Sequence, residues 1–380
     1  MVLVHNGKGG EKSVRFRSQI PGLWKQTDAK MRIGFIACCV LTFLLLLGRS
    51  GDTAAWADNT PGMTEEEPAK ESQVEHWMAN KPQSFMLFGQ RVQKLSLSGN
   101  FTCPNRDGTL GRGGCTFCNV SSFSGQGKET LSISEQLACA PEKRSKIFLA
   151  YFQAYTSTYA ELQLLKKMYS EALEFPNIVG ICVGTRPDCV SDDVLDLLEG
   201  YLHEGKEVWL ELGLQSAIDE TLDLINRHHY FADYADAVYR ARKRGIKVCT
   251  HLIIGLPGEE LIHNLTTLQM VVDEGIDALK LHQLHIVKGS VMAAMYLRGE
   301  IQVLNLEEYA EIAARLIQYT PPEIMYERVG ASVRDSSLIA PMWSTQRWPC
   351  IDRIGEILAE KGGQGSAIGR PYVYDGISRG

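Results

Sequence analysis

From Phe85 to about Gly289, short runs rich in β-branched residues alternate with longer segments of helical period. The runs are Val92–Leu97, Lys146–Phe152, Ile178–Val183, Glu207–Leu214, Ile246–Ile254 and Ala278–Leu284. Between them, apolar positions recur at helical spacing over Ser132–Ala140, Thr158–Leu173, Ser191–His203, Ala217–Arg244 (broken near Asn226–His229) and Glu259–Glu274. Strand–helix alternation of this kind predicts an α/β fold, a parallel sheet with crossover helices. The units are too few for a full eight-stranded barrel. After Gly289 the alternation stops. A helix over Leu306–Tyr319, the breaker Thr320-Pro-Pro322 and a turn-rich tail predict an α+β extension.

Several strands carry polar residues where a buried sheet should be apolar. Along Val208-Trp-Leu-Glu-Leu-Gly-Leu-Gln-Ser216, Trp209, Glu211, Gly213 and Gln215 share one face, and the leucines fill the other. An unpaired buried carboxylate is costly, so Glu211 needs a donor, either an internal ion pair or a ligand. In Gly184-Thr-Arg-Pro-Asp188, Pro187 fixes a turn, Asp188 is the candidate cap of the next helix, and Arg186 is left for the mouth of the fold. In barrel enzymes the chemistry sits at such carboxyl ends of the strands. Arg227, beside the helix break, reads on its own as a solvated charge. His251, His282 and His285 read singly as core histidines, but all three stand near strand ends. Lys280 and His282 share one face of the last strand and suit a proton donor or an anion contact.

One polar, glycine-rich stretch carries the sharpest chemistry: Cys103-Pro-Asn-Arg-Asp-Gly-Thr-Leu-Gly-Arg-Gly-Gly-Cys115-Thr-Phe-Cys118. A structural zinc site is closed by four protein ligands, so three thiolates leave one position for something else. An electron-transfer cubane likewise takes four cysteines, and three leave one iron free. Gly108, Gly111, Gly113 and Gly114 allow tight folding around such a group, and their amides can hydrogen-bond to its sulfides. Cys139, Cys182, Cys189, Cys249 and Cys350 are scattered and read as small hydrophobes.

The loop resembles the cluster loop of radical S-adenosylmethionine (SAM) enzymes. Their common spacing is C-x3-C-x2-C, whereas eleven residues separate Cys103 from Cys115 here and only the C-x2-C end is kept. The long insert resembles the elongator-type group and, more closely, the YhcC/YtqA-like family. Phe152-Gln-Ala-Tyr-Thr-Ser157, Gly184-Thr-Arg-Pro-Asp188, Glu211-Leu-Gly-Leu-Gln-Ser216, His251-Leu-Ile-Ile-Gly-Leu-Pro-Gly-Glu259 and Lys280-Leu-His-Gln-Leu-His285 fit that family in order. The resemblance spans Phe85 to Gly380. It implies a partial, six-stranded (β/α)6 TIM-like barrel and a [4Fe–4S] cluster on Cys103, Cys115 and Cys118. The implied chemistry is reductive cleavage of SAM at the vacant iron and hydrogen abstraction from a substrate carbon. By the same resemblance, Glu211 and Gln215 face the ribose or amino acid part of SAM, and Arg227 takes its carboxylate. Gln153 and Thr156 stand where relatives place a glycine-rich segment against the SAM amino group, Arg186 lines the pocket, and His251 lies along the adenine. An external electron donor such as flavodoxin or ferredoxin is implied as well. The substrate is left open between tRNA, another protein and a small metabolite, and no RNA-binding domain or basic tail is recognisable. The alternative is a non-catalytic iron–sulfur or zinc redox-sensing module, which accounts for the cysteines but not for Glu211, Gln215 and Arg227.

Composition adds bounds rather than chemistry. The 380 residues are 44% hydrophobic and 22% charged, ordinary for a chain with a sizeable core. A net charge of −6 argues against a dominant polyphosphate partner. Ten cysteines at irregular spacing favour a reducing compartment over a disulfide framework. Ile33–Leu47 is an apolar run flanked by Lys30, Arg32 and Arg49, shorter than the ~20 residues of a spanning helix. It fits a secretory signal read from Met31, a signal anchor read from Met1, or a segment never made if translation starts at Met63 or Met78. The expected organisation is an N-terminal segment 1–62, a polar linker 63–84, a core barrel 85–290 and an extension 291–380. A cytoplasmic location is expected, with a membrane-anchored form through residues 33–47 as the alternative. A chain beginning at Met63 should therefore fold, remain soluble and take up the cluster. Insolubility of that truncation, where the full chain stays in solution, would make the segment structural.

Overall fold

The structure, a computed structural model, describes residues 85–87, 90–119, 131–139, 147–333, 336–346 and 348–371. The apolar run 33–47 and the polar linker lie outside the described residues. Among the described residues, no helix is long and apolar enough to cross a membrane.

The chain opens with strands β1 (Phe85–Leu87) and β2 (Gln90–Leu97), followed by a helical turn α1 (Pro104–Asp107) and helix α2 (Ile133–Ala138). Then come β3 (Ile147–Phe152), α3 (Leu162–Glu174), β4 (Ile178–Thr185), α4 (Asp192–His203) and β5 (Glu207–Gln215). The predicted broken helix is two helices, α5 (Asp219–Leu224) and α6 (Phe231–Lys243), before β6 (Lys247–Ile254), α7 (Leu261–Asp273) and β7 (Ala278–Gln283). The remainder holds β8 (Ile286–Val287), α8 (Val291–Leu297), α9 (Leu306–Tyr319), β9 (Met325–Arg328), β10 (Leu338–Ala340) and α10 (Trp348–Lys361).

The main sheet runs β1-β2-β3-β4-β5-β6-β7-β9. β1 is antiparallel to β2, and all the later pairs are parallel. The sheet is thus a curled half-barrel of seven parallel strands. The expected six are all present, and the seventh, β9, comes from the extension, which adds a strand to the sheet as well as packing on it. Helix α9 packs against α10 and α7.

Strand alternation separates two cores. The outer faces carry Phe152, Val183, Leu210, Leu212 and Leu214, which pack with α3, α4 and α6 through Leu165, Leu195 and Val238. The inner faces carry Val92, Leu149, Tyr151, Cys182, Trp209, Cys249 and Ala278, which plug the amino-terminal end of the barrel. Helix starts are capped as local chemistry dictates. Ser132 with Glu135 and Asn305 with Glu308 form reciprocal boxes, and the Ser191 side chain accepts from Val194 N. Asp188 is not the cap expected of it, because a 3₁₀ turn over Pro187–Cys189 delays the helix until Asp192.

Two glycines test this packing in opposite directions. A Cβ on Gly180 in β4 would sit 2.1 Å from the Glu207 carbonyl oxygen of β5, whereas one on Gly200 in α4 meets nothing within 4 Å. Gly180→Ala should therefore destabilise by about 1–3 kcal/mol through forced strand separation. Gly200→Ala should stabilise by about 0.5–1 kcal/mol through helix propensity. Urea unfolding of the two variants checks the signs.

Candidate active site

The carboxyl ends of the strands open on one cavity of about 710 Å³. The residues that the resemblance assigns to cluster and cofactor all line it: Cys103, Cys115, Cys118, Gln153, Thr156, Arg186, Glu211, Gln215, Arg227 and His251.

The cysteine loop is folded by its own backbone. Cys103 sits at the start of α1, and its carbonyl accepts from Arg106 N at 2.8 Å. Gly108 N donates to Gly111 O, Gly111 N to Pro104 O, and Gly114 N to Asn105 O. Three of the four loop glycines thus spend their amides on the loop's own carbonyls rather than offering them to sulfides. Cys118 N closes a turn on Cys115 O at 2.9 Å.

The loop docks on the break between α5 and α6. There Asn226 and His228 take left-handed conformations, φ 56° and 55°. Asn105 Nδ2 donates to Asn226 O at 2.7 Å, Asn226 Nδ2 returns a bond to Gly114 O at 2.9 Å, and Thr116 N donates to Ile225 O at 3.0 Å. The same break aims Arg227 into the cavity. Its Nη1 lies 3.3 Å from Cys115 Sγ, its Nη2 donates to Gly213 O at 2.5 Å, and its Nε, buried, makes no hydrogen bond among the described residues. Gly213 has to be glycine for this approach, since a Cβ there would lie 3.0 Å from Arg227 Nη2. Asn105 Nδ2 stands 3.5 Å from Cys115 Sγ, and Arg106 Nη1 stands 3.9 Å from Cys118 Sγ.

Burial, with the neighbouring Cys115 adding to it, pushes the Cys118 thiol up to about 11, against the pull of Arg106 and Arg227. It therefore holds its proton until a cation replaces it. Arg186 is held by Asp188 through Nε at 2.9 Å and Nη2 at 2.8 Å, and Nη2 also donates to Arg227 O at 2.8 Å. Arg186 Nη1 and Thr156 Oγ1 are buried and unpartnered. Tyr155 and Gln215 hold positive φ, 61° and 80°, a strained conformation for such side chains. Thiols under guanidinium and amide donors, with polar atoms left over beside them, fit a negatively charged iron–sulfur cluster and a zwitterionic cofactor. Among the described residues, no three His, Cys, Asp or Glu side chains are gathered as around a single metal ion.

Glu211 is placed differently from its neighbours. It is fully buried, and its oxygens are taken by Lys94 Nζ at 2.6 Å, His251 Nε2 at 2.8 Å and Lys280 Nζ. Glu327, on β9, joins the same lysines, at 2.6 Å from Lys94 and 3.1 Å from Lys280. Tyr151 completes the layer, with its ring 4.6 Å from Lys280 Nζ. Burial works to raise the Glu211 carboxyl, but Lys280 and Lys94 outweigh it and hold it well below the usual carboxylate range. The Glu211 carboxylate is thus committed to the chain's own cations. Lys94 and Glu327 gave no signal in the sequence: one sits in an ordinary strand, the other in the extension, and only the fold brings them together.

The remaining wall is imidazole. A carbonyl only accepts, so His282 Nδ1 donates to Gln283 O at 2.7 Å. Its ring meets His285 edge-on at 4.7 Å. Of the scattered cysteines, Cys182, Cys249 and Cys350 are buried as expected, Cys189 is half-buried, and Cys139 is exposed because it ends α2.

Residues 106–271 match the family model described as the radical SAM superfamily, and residues 276–360 match its C-terminal domain. The first match begins three residues after Cys103. The chain is 55% identical over 288 residues to protein YhcC of Escherichia coli (strain K12), covering 75% of this chain and 93% of that one. It is 37% identical over 281 residues to protein YtqA of Bacillus subtilis (strain 168), covering 72% and 87%. Among solved structures, methylornithine synthase aligns over 78% of each chain with a TM-score of 0.47 and 14% identity.

Glu211→Gln should lose about 3–5 kcal/mol of stability, because two buried lysines would share Glu327 alone. The carboxyl is depressed in the folded state, so its contribution is complete above the unfolded value of about 4.3 and fades as pH falls through the folded one. Urea unfolding of both proteins from pH 7 downward should show the gap closing only at acid pH. A gap that is absent at pH 7 would mean that the network carries no stability.

Proposed function

The chain belongs to the radical SAM superfamily, within the group that holds YhcC and YtqA, and from that premise we propose that it is an enzyme abstracting hydrogen from a substrate carbon. Its cofactors are a [4Fe–4S] cluster and SAM. When bound, the cluster supplies the electron that cleaves SAM, and SAM supplies the radical. One observation carries the reading: three thiols, the guanidinium groups of Arg106, Arg186 and Arg227 beside them, and the buried Thr156 hydroxyl line one cavity at the carboxyl ends of parallel strands.

The protein's part is to bind, orient and exclude water. Cys103, Cys115 and Cys118 hold the cluster, while Arg227 and Asn105 donate to the Cys115 sulfur and stabilise the thiolate. Arg186 Nη1 and Arg227 Nε are the charged donors left for the SAM carboxylate, and Thr156, Gln153 and Gln215 provide neutral contacts beside them. His251 spends Nε2 on Glu211, so only its ring face and Nδ1 are left for the adenine. Glu211 acts through the lysine network as a positioning residue under the cofactor. An external reductant such as flavodoxin or ferredoxin delivers the electron. The substrate is an RNA, a protein or a small metabolite.

Anaerobic reconstitution with iron and sulfide, then SAM and dithionite, should yield a [4Fe–4S] spectrum and 5′-deoxyadenosine. Replacing Cys103, Cys115 or Cys118 with Ala should abolish both. A full cluster spectrum without any deoxyadenosine would point to a redox-sensing module instead, and an intact cluster in a cysteine variant would refute the ligand set.

A further inference from the structure

The cavity carries positive charge in two separate places. Arg106, Arg186 and Arg227 exert their fields on the cysteines; Arg106 and Arg227 donate to cysteine sulfurs and backbone carbonyls, and Arg186 is paired with Asp188. A fourth guanidinium, Arg328, exerts its field on Tyr151, His251, His282 and His285. Arg328 lines the cavity, and its guanidinium makes no hydrogen bond or ion pair with any described residue. The nearby carboxylates do not serve it, since Glu211 and Glu327 are both occupied by Lys94 and Lys280.

The backbone accounts for its position. Along β9, Tyr326 pairs with Leu279 and Arg328 with Lys280, so Glu327 is an extra residue in the register. Such an irregularity puts two consecutive side chains on one face. Glu327 goes down into the lysine layer and Arg328 stays at the level of the cavity. Beside it, His285 Nε2 is buried and has no partner. An uncompensated guanidinium and an idle imidazole nitrogen, facing one space, are donors awaiting an acceptor.

We infer that the substrate presents an anionic oxygen group, a carboxylate or a phosphate, to Arg328 and His285 Nε2 at the histidine-walled end of the cavity. The inference rests on the radical reading above, because that reading makes the rest of the cavity the place of cluster and SAM. Held there, the anion fixes which substrate carbon faces the cofactor. A guanidinium fork suits both carboxylate and phosphate.

The test follows the rate at which phenylglyoxal modifies Arg328, read by peptide mass spectrometry on the full chain with its cluster and SAM bound. Inorganic phosphate and acetate are compared with chloride at equal ionic strength. Slowing by one of the two oxyanions is the expected result, and which one protects tells phosphate from carboxylate. His285→Ala should weaken that protection while Arg328 remains reactive in chloride. Equal rates in all three salts would overturn the inference. So would protection by SAM that decarboxylated SAM fails to give, since Arg328 would then read the cofactor's own carboxylate. The readout does not depend on turnover. Protection by an oxyanion in a protein that forms no deoxyadenosine would leave the anion site standing and sink the radical reading instead.

Discussion

The buried charge layer around Glu211 is the constraint on which the cavity depends. The parallel part of the sheet runs from β2 to β9, and these two strands are not neighbours in the ladder. Lys94 on β2 reaches Glu327 on β9 as well as Glu211 on β5, so side chains span a gap that backbone hydrogen bonds leave open. Desolvating two lysines and two carboxylates is expensive, and a layer of leucines would fill the same space more cheaply. What leucines would not do is hold His251 and Tyr151 at fixed orientation, or keep a polar floor beneath a cavity that must accept a charged cofactor. The layer also has a definite net balance. Two carboxylates answer two lysines, and the floor therefore adds no net charge to the cations above it.

A second constraint joins the cluster loop to the barrel. The left-handed residues of the helix break at Asn226–His228 are offset by bonds from the loop: Asn105 and Thr116 donate to its backbone carbonyls, and Gly114 O accepts from the Asn226 side chain. One local irregularity thereby does two things: it docks the cysteines and it aims Arg227 at Cys115. Movement of the loop and movement of the arginine are coupled through those bonds.

Much of this was legible beforehand. Strand–helix alternation located six of the seven parallel strands, and period-two reading put Glu211, Gly213 and Gln215 on the cavity side. The break near Asn226–His229 showed as an interruption of helical period. What stayed hidden depends on tertiary pairing. Lys94 and Glu327 are 233 residues apart in sequence, and nothing local marks either as buried. Arg328 faces the cavity only because of one extra residue in a register that requires the neighbouring strand to define it. Asp188 looked like a helix cap because the three residues between it and the helix gave no sign of a separate turn.

The eleven-residue spacing between Cys103 and Cys115 follows from the same physics. A three-residue spacing leaves little chain to fold between two ligands, so the cluster itself must organise the loop. Here the insert forms a helical turn, an antiparallel bridge between Asp107 and Arg112, and backbone bonds from Leu110 and Gly111 back to Pro104. It is a small folded unit that places Cys103 and Cys115 by its own bonds. Flexible chain of that length would add loop-closure entropy to cluster binding, while pre-folded chain largely removes it. Asn105, Asn226 and the loop glycines therefore arrange this stretch before any group binds to it.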